Sequence, residues 1–447
     1  MKKFVKLLGL GFGLSALAAS TAALADDGLP PVPAPLDPAS TVDPITIVTG
    51  SGVKVGEGTV FHPQIGIETG VVSNVFYQAD GPVTAGLLRI LAEVGTSSLP
   101  NQRLSRQAAE TDSTSALTAT STGDFLYSAD LFASYDQYLS TNDNVTSQGG
   151  LGGGLLLRGI VNPQHPLQFA FQEHFTRVIR ATNFESNSAT NRDINALDLR
   201  LNYMPYGRSL DGFLYYQNTI DVFERTAQQF ANRMQNTFGL HVNWRWLPLT
   251  QIYVDVSQGY FTGIGSSDKV SSAPLTLAGG IQTALTLNTT VDAHIGYTNG
   301  FYSTGPSYSS LAGGVLLGYR YSPLGRVTAS YSYEHQDSIN ANFYRDHAVQ
   351  ATIEHLVAPF VVFARPELRF RRYEGTVVMG TTGTTRNDTI FGATVGMRYS
   401  FRDWIAATLD YQLQDIQTDF RYNAGNGVEV DPSYIRHELL LGVRAAY

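Results

Sequence analysis

The chain has 447 residues, a formal net charge of −8 and no cysteine. Disulfide frameworks, cysteine-ligated metal sites and a cysteine-linked lipid anchor are therefore excluded. An acidic chain without a basic block does not favour nucleic acid as a partner. Beyond residue 25, no apolar run approaches the about 18 residues that a membrane-spanning helix needs.

The first 25 residues have the three parts of a secretory leader. Three lysines precede an apolar stretch at residues 7–19, and residues 23–25, Ala-Leu-Ala, form a small-x-small cleavage pattern. An uncleaved membrane helix is disfavoured because the apolar stretch is short. We expect residues 1–25 to be a signal peptide, whose removal takes three lysines and changes the net charge to −11.

Residues 26–58 form a second segment with a different composition. Six prolines lie between residues 26 and 44, and a glycine-rich stretch follows up to residue 58. This composition predicts an extended or disordered linker on the periplasmic side. The third predicted segment, residues 59–447, is the folded domain.

Hydrophobic residues in this third segment recur with a period of two. In residues 125–136 the odd positions are apolar and the even positions are mostly polar, which is typical of a strand with one apolar and one wet face. Similar stretches of about ten residues, the length of a tilted strand that crosses a bilayer, alternate with tight turns and longer polar loops. The pattern predicts an all-β fold, a transmembrane antiparallel up-and-down β-barrel of about 18 strands, with 16 as the main alternative.

The predicted strands are read from this alternation. They lie near residues 61–72, 83–95, 125–136, 147–159, 167–174, 197–203, 210–222, 238–246, 252–257, 275–287, 289–302, 315–321, 327–333, 343–357, 360–373, 391–401, 405–411 and 439–447. One connection, residues 96–122, is too long and polar for a periplasmic turn. It is predicted to be either a disordered excursion or a segment that folds into the lumen.

Charged residues at lumen-facing positions are the best functional candidates. The fifteenth predicted strand places four charges on its inward positions and Tyr373 among its outward ones. Rings of charge that line a pore select solutes by charge, whereas opposed charges can also brace the wall, and the two roles are compatible. The pore-lining candidates are Arg365, Glu367, Arg369, Arg371, Glu354, Arg398, Asp410, Arg436, Glu438 and Arg444.

The sequence gives little support for a metal site or for nucleophilic catalysis. His174, His241 and His294 share the inward parity of separate strands, but no spacing matches a metal site. No motif pairs a nucleophilic serine with a histidine. We expect no catalysis, no metal and no cofactor.

The last predicted strand ends in an aromatic residue. Alternating Leu439, Leu441 and Val443 with terminal Tyr447 resemble the C-terminal signal that the barrel-insertion machinery of the outer membrane reads. The other interpretation is a last strand that merely ends in an aromatic residue. With a leader present, we expect these four residues to act as the insertion signal.

Residues 62–67, His-Pro-Gln-Ile-Gly-Ile, and residues 73–77, Ser-Asn-Val-Phe-Tyr, resemble the first strand of the type-two β-barrel porin family. The similarity runs from about residue 60 to the end, although Val72 stands where that family usually has Asp. The resemblance implies an outer-membrane barrel. Because some members accompany exopolysaccharide secretion genes, it also implies a possible role in polysaccharide export.

Taken together, the sequence predicts a pore in the outer membrane of a Gram-negative bacterium. It would pass solutes or exported polysaccharide through its lumen, and the expected partners are outer-membrane lipid, the insertion machinery and the solute or exopolysaccharide itself. The interior aromatic residues Phe213, Tyr215 and Tyr253 suit a sugar track but are too few to decide. A plugged structural or assembly barrel and a barrel-embedded lipid-modifying enzyme are the alternatives.

Overall fold

Eighteen strands close into one antiparallel barrel in the computed structural model. The structure describes residues 51–55, 59–98, 124–179, 191–205, 209–357, 359–375, 385–423 and 429–447. Each wall strand pairs with the next along the chain, and the last wall strand pairs both with the one before it and with the first. The all-β barrel prediction is confirmed, with 18 strands and not 16.

Most of the wall strands are longer than the sequence pattern indicated. The strands of the first half are β2 (Thr59–Val72), β3 (Ala85–Ser98), β4 (Phe125–Leu139), β5 (Gly150–Val161), β6 (Leu167–Val178), β7 (Arg192–Tyr203), β8 (Leu210–Phe223), β9 (Arg233–Leu247) and β10 (Thr250–Gly263). Those of the second half are β11 (Leu275–Thr286), β12 (Thr289–Asn299), β13 (Ser309–Ser322), β14 (Gly325–Asp337), β15 (Phe343–Val357), β16 (Phe360–Glu374), β17 (Thr385–Arg402), β18 (Ile405–Thr418) and β21 (Tyr434–Ala446).

Short elements complete the described fold. Strand β1 (Val53–Val55) lies within the predicted linker and pairs with the start of β2, where it continues the line of β21. A helix α1 (Asp143–Thr146), a 3₁₀ helix (Thr226–Ala231) and a hairpin of β19 (Tyr422–Asn423) and β20 (Glu429–Val430) lie in loops. Among the described residues, no helix is long and apolar enough to cross a membrane.

Side-chain parity divides the barrel into two faces, as the alternation predicted. On β9, Phe238 and Leu240 are 52% and 44% exposed, whereas His241, on the opposite face, is 7% exposed. The same contrast recurs around the wall, so large apolar side chains cover the outside. Such an outer apolar band on a closed barrel faces lipid, and this places the protein in the outer membrane of a Gram-negative bacterium.

Connections differ between the two ends. At one end β9 and β10, β11 and β12, β13 and β14, and β17 and β18 are joined by two residues. At the other end they are longer, as at residues 224–232, 264–274 and 300–308. Short periplasmic turns and long extracellular loops are the rule for such barrels, so the long connections mark the extracellular mouth.

Several local predictions were wrong. Strand β5 begins at Gly150 because α1 and its flanking turn occupy the preceding residues, and β12 ends at Asn299. Thr96 belongs to β3, where it pairs with Ala129, and not to the long connection. Tyr373 has inward parity with Arg371 and is 2% exposed. The predicted signal peptide, residues 26–50 of the linker and residues 99–122 lie outside the described residues.

A charged residue on the outer face is expected to destabilise the barrel strongly. Val395 lies halfway along β17 and is 49% exposed, and the adjacent Thr394 has lumen-facing parity. Val395→Arg should lower the free energy of unfolding by about 2–4 kcal/mol, since it puts a cation in hydrocarbon. The matched variant Thr394→Arg should cost less, because its side chain ends among polar groups. Urea unfolding in lipid vesicles measures both, and equal losses would contradict the assignment of faces.

Candidate functional site

The inner face of the wall is polar, and many of its charges form ion pairs, either across strands or between positions i and i+2 of one strand. All ten predicted pore-lining residues have the parity opposite to the exposed apolar face. A guanidinium or carboxylate that is paired with an opposite charge in the wall acts less strongly on an ion in the lumen than an unpaired charge does. Their pairings therefore sort the candidates, and they form three groups.

The first group joins the first and last wall strands and is called here the closure seam. The guanidinium of Arg89 on β3 contacts Glu68 on β2 at 3.1 Å, Asp136 on β4 at 2.7 Å and Glu438 on β21 at 3.2 Å. On β21, Arg444 also contacts Glu68 at 2.7 Å, and Arg436 contacts Glu438 at 3.1 Å. All six are at most 8% exposed. One cation thus holds carboxylates from three other strands.

The second group contains two members of the arginine column of β16, which consists of Arg365, Arg369 and Arg371. Arg371 and Arg369 both contact Asp346 of β15, at 2.8 and 3.1 Å, and Arg369 also bonds Glu367. The guanidinium of Arg371 lies 3.8 Å from the ring centre of Tyr344. Much of the positive charge in the column is therefore balanced locally.

Pairs in the periplasmic half of the wall make the third group. Arg398 contacts Asp410 at 2.7 Å, and Glu354 contacts Arg326 at 2.6 Å. Arg365 lies with its guanidinium 4.4 Å from the ring centre of Phe363. The side chains of these two pairs are 15–27% exposed, so they are more accessible than Arg371 at 1%.

Sequence reasoning missed a charged cluster that crosses the extracellular mouth. Arg233 at the start of β9 contacts Asp221 of β8 at 2.8 Å and Asp337 at the end of β14 at 2.5 Å. Lys269 contacts Asp337 at 3.3 Å, and Arg192 contacts Asp221 at 3.0 Å. These five residues are called the mouth network.

The mouth network runs inside the ring of strands. Four strands separate β9 from β14 in the wall, and Arg233 and Asp221 both have inward parity. The contact with Asp337 must therefore cross the interior. Residues 338–342 follow Asp337, and all of them but Asn340 are buried, with Ile339 packed on Phe223 and Ala231. This connection folds inward and narrows the mouth.

Inward aromatic residues form a stacked row on β8 to β10. The ring centres of Phe213 and His241 are 4.8 Å apart, and those of His241 and Tyr253 are 5.4 Å apart. The guanidinium of Arg200 lies 5.3 Å from the Phe213 ring centre. Asp255 accepts from the Tyr215 hydroxyl and bonds the ring of His241. The rings cover one another, and Phe213 and Tyr215 are only 3% and 6% exposed.

Residues 73–77, which carry part of the family resemblance, hold the extracellular end of the closure seam. Asn74 adopts a left-handed φ of 50° and donates its side-chain amide to the carbonyls of Gln78 and Ile435, at 2.7 and 3.0 Å. The left-handed conformation suits Asn because its short side chain bonds locally. Arg436 of β21 lies 4.8 Å from the ring centre of Tyr77. The motif is a structural clasp between the first and last strands.

The predicted insertion signal lies on the lipid face of β21. Leu439, Leu441 and Val443 are 47%, 58% and 49% exposed, and Tyr447 is 66% exposed. These positions are compatible with reading by another protein, but recognition itself stays a prediction.

Comparison with known proteins gives only distant structural likenesses. No family model matches the chain and no curated protein matches it. OccK2 (OpdF) of Pseudomonas aeruginosa has a TM-score of 0.44 and 9% identity over 86% of this chain and 97% of its own. For OpdK of Pseudomonas aeruginosa the values are 0.43, 8%, 87% and 99%. For the FrpB iron transporter from Neisseria meningitidis they are 0.42, 9%, 86% and 81%. These identities and TM-scores are too low to carry an argument about function, and the type-two porin resemblance stays a prediction.

Proposed function

We propose that this protein is an outer-membrane channel that passes small polar solutes through its lumen. The observation that carries the proposal is the inner face itself, a closed wall of polar residues and paired charges behind an apolar outer face. Solutes in such a channel exchange water for contacts with wall charges, and the lumen discriminates by size and charge. No step of catalysis is needed.

Small solutes fit the geometry better than a polysaccharide chain. A polymer needs a continuous wide path, whereas the mouth network joins β9 to β14 across the interior. A sugar track also needs open aromatic faces, and the rings of Phe213, His241 and Tyr253 stack on one another. The export role implied by the family resemblance is therefore the weaker alternative.

A plugged structural barrel is the second candidate, and the same bridge across the mouth favours it. Single-channel recording in planar bilayers separates the two. Purified full-length protein should give steady currents that rise with salt concentration, and Asp337→Asn, which weakens the mouth network, should raise them. A silent parent and a silent Asp337→Asn variant would overturn the channel and support the plug.

The arginine column is expected to bias the channel toward anions. In Arg365→Gln/Arg369→Gln, Arg371 keeps its contact with Asp346, so the wall retains its brace while the column loses two charges. The reversal potential should shift toward cation selectivity, most at low salt where screening is least. Arg345→Gln/Arg372→Gln is the control, because those arginines lie on the outer face of β15 and β16. An unchanged reversal potential with intact conductance would mean that the column only braces the wall.

A further inference from the structure

A charged depression lies on the outer wall near the extracellular rim, across β14 to β18. Its volume is about 660 Å³, and its lining includes Arg345, His347, Phe370, Arg372, Asn387 and Thr389. Most of these positions have outward parity, so the depression opens to the membrane and not to the lumen. The pairing of residues across the strands gives it a layered order.

The upper layer is cationic. Arg345 on β15 and Arg372 on β16 are direct cross-strand partners, and Asn387 on β17 is the next in the row. Like charges directly opposite each other are unfavourable on a sheet. Glu374 lies between them, 3.2 Å from Arg345 and 2.9 Å from Arg372. One carboxylate in contact with two guanidinium groups leaves positive charge on the β15–β16 side of the depression, while Asp419 on the far side accepts from Asn387 at 2.8 Å.

The layers below change from polar to apolar. Next to the arginines, His347 pairs with Phe370, and Phe370 pairs with Thr389. One step further down, Val349 and Phe391 flank Leu368, and both are well exposed, at 50% and 38%. Aromatic residues mark the interface between hydrocarbon and headgroups in such barrels. The arginines are therefore at the level of the headgroups of the outer leaflet.

The two guanidinium groups also keep donors free to face outward. The side chain of Arg372 is 49% exposed and that of Arg345 is 34% exposed, although both contact Glu374. A guanidinium presents five N–H donors in a planar fork that matches phosphate oxygens. The Thr389 hydroxyl and the Asn387–Asp419 pair, in which the Asn387 amide donates to the carboxylate, suit the hydroxyls of a sugar. The chemistry points to a phosphorylated sugar headgroup with acyl chains below it.

We propose that this depression binds lipopolysaccharide of the outer leaflet, with its phosphates on Arg345 and Arg372 and an acyl chain along Val349, Leu368 and Phe391. The proposal is independent of the channel function, because the site lies on the opposite face of the wall. A bound glycolipid would also neutralise the repulsion between the two arginines. It would thereby fasten strands β15 and β16 on the side away from the lumen.

Native mass spectrometry of the full-length protein in detergent, titrated with bisphosphorylated lipid A, tests this. Arg345→Gln/Arg372→Gln should raise the dissociation constant at least about tenfold, since charge-assisted bonds to phosphate are lost. Arg372→Gln alone, at an exposed position that leaves the Arg345–Glu374 contact in place, should give a smaller loss in the same direction. Lipid A without phosphates should bind the parent and both variants alike.

The matched control is Arg177→Gln. Arg177 lies on β6, nine strands from β15 around the ring, and it too faces outward near the extracellular end, paired with Glu224 at 2.6 Å. The hydrogen bond from Arg177 holds the pKa of Glu224 below its usual value. This variant should bind lipid A as the parent does. Equal affinity of the double variant and the parent would overturn the proposal. So would displacement of lipid A by millimolar inorganic phosphate, which would indicate a site for free anions.

Discussion

Deletion of residues 443–447 is expected to reduce the protein in the outer-membrane fraction to a trace. In the barrel these residues pair with residues 64–67 of β2 on one side and with residues 405–407 of β18 on the other. Their loss exposes unpaired backbone groups on both neighbours, which lipid does not satisfy. Fractionation, with heat-modifiable migration on gels as the sign of a folded barrel, measures the outcome.

Point variants at Tyr447 distinguish the loss of strand pairing from the loss of recognition by the insertion machinery. Tyr447→Phe keeps the backbone and the aromatic ring, and it should assemble as the parent does. Tyr447→Ser keeps the backbone contacts with Gly52 and Pro63 but removes the ring, so a loss confined to this variant would assign the effect to the insertion machinery. A truncated protein that reaches the outer membrane at normal abundance in heat-modifiable form would refute the prediction.

Arg89→Ala is expected to cost about 3–5 kcal/mol of stability, the range for breaking a buried ion pair by removing one partner. The substitution leaves Glu68, Asp136 and Glu438 without the cation that they share. Glu68 keeps Arg444 and Glu438 keeps Arg436, but three buried carboxylates are then left with two of the three arginines. Urea unfolding in lipid vesicles measures the loss.

An exposed pair provides the control for Arg89. Arg421 and Asp431 are 2.7 Å apart in an extracellular loop, with side chains that are 39% and 29% exposed. Because water and salt screen such a pair, Arg421→Ala should change stability by no more than about 1 kcal/mol. Adding Asp136→Asn to Arg89→Ala should recover part of the loss, because Glu68 and Glu438 then still keep Arg444 and Arg436. A loss for Arg89→Ala as small as that for Arg421→Ala would mean that the seam is hydrated and weak.

Parity along a strand is readable from sequence because it depends only on the residue itself and its neighbours. The alternation of β9 and β21 therefore predicted which side chains face lipid. The strand count followed from the same pattern. The outward prediction for Tyr373 departed from the parity of its own strand, which places it with Arg371 on the inner face, where it packs on Tyr344.

The sequence did not predict in the same way which charged side chains contact each other inside the barrel. The contact of Arg233 with Asp337 depends on the inward fold of residues 338–342, and no local pattern encodes that path. Arg89 and Glu68 each had inward parity on predicted strands, so parity carried a signal for the closure seam. Their meeting with Glu438 follows only once the last strand is known to lie beside the first.

The closure seam also sets the time at which the barrel becomes complete. Its contacts join residues far apart in the chain, with a sequence separation of 349 for Arg89 and Glu438 and of 376 for Glu68 and Arg444. Contacts of such long sequence separation form late, because the chain between them must first be ordered. The carboxylate of Glu68 on β2 therefore gains its contact with Arg444 only after the last strand has been synthesised and has paired. A delay in the pairing of β21 lengthens the time during which the sheet remains open.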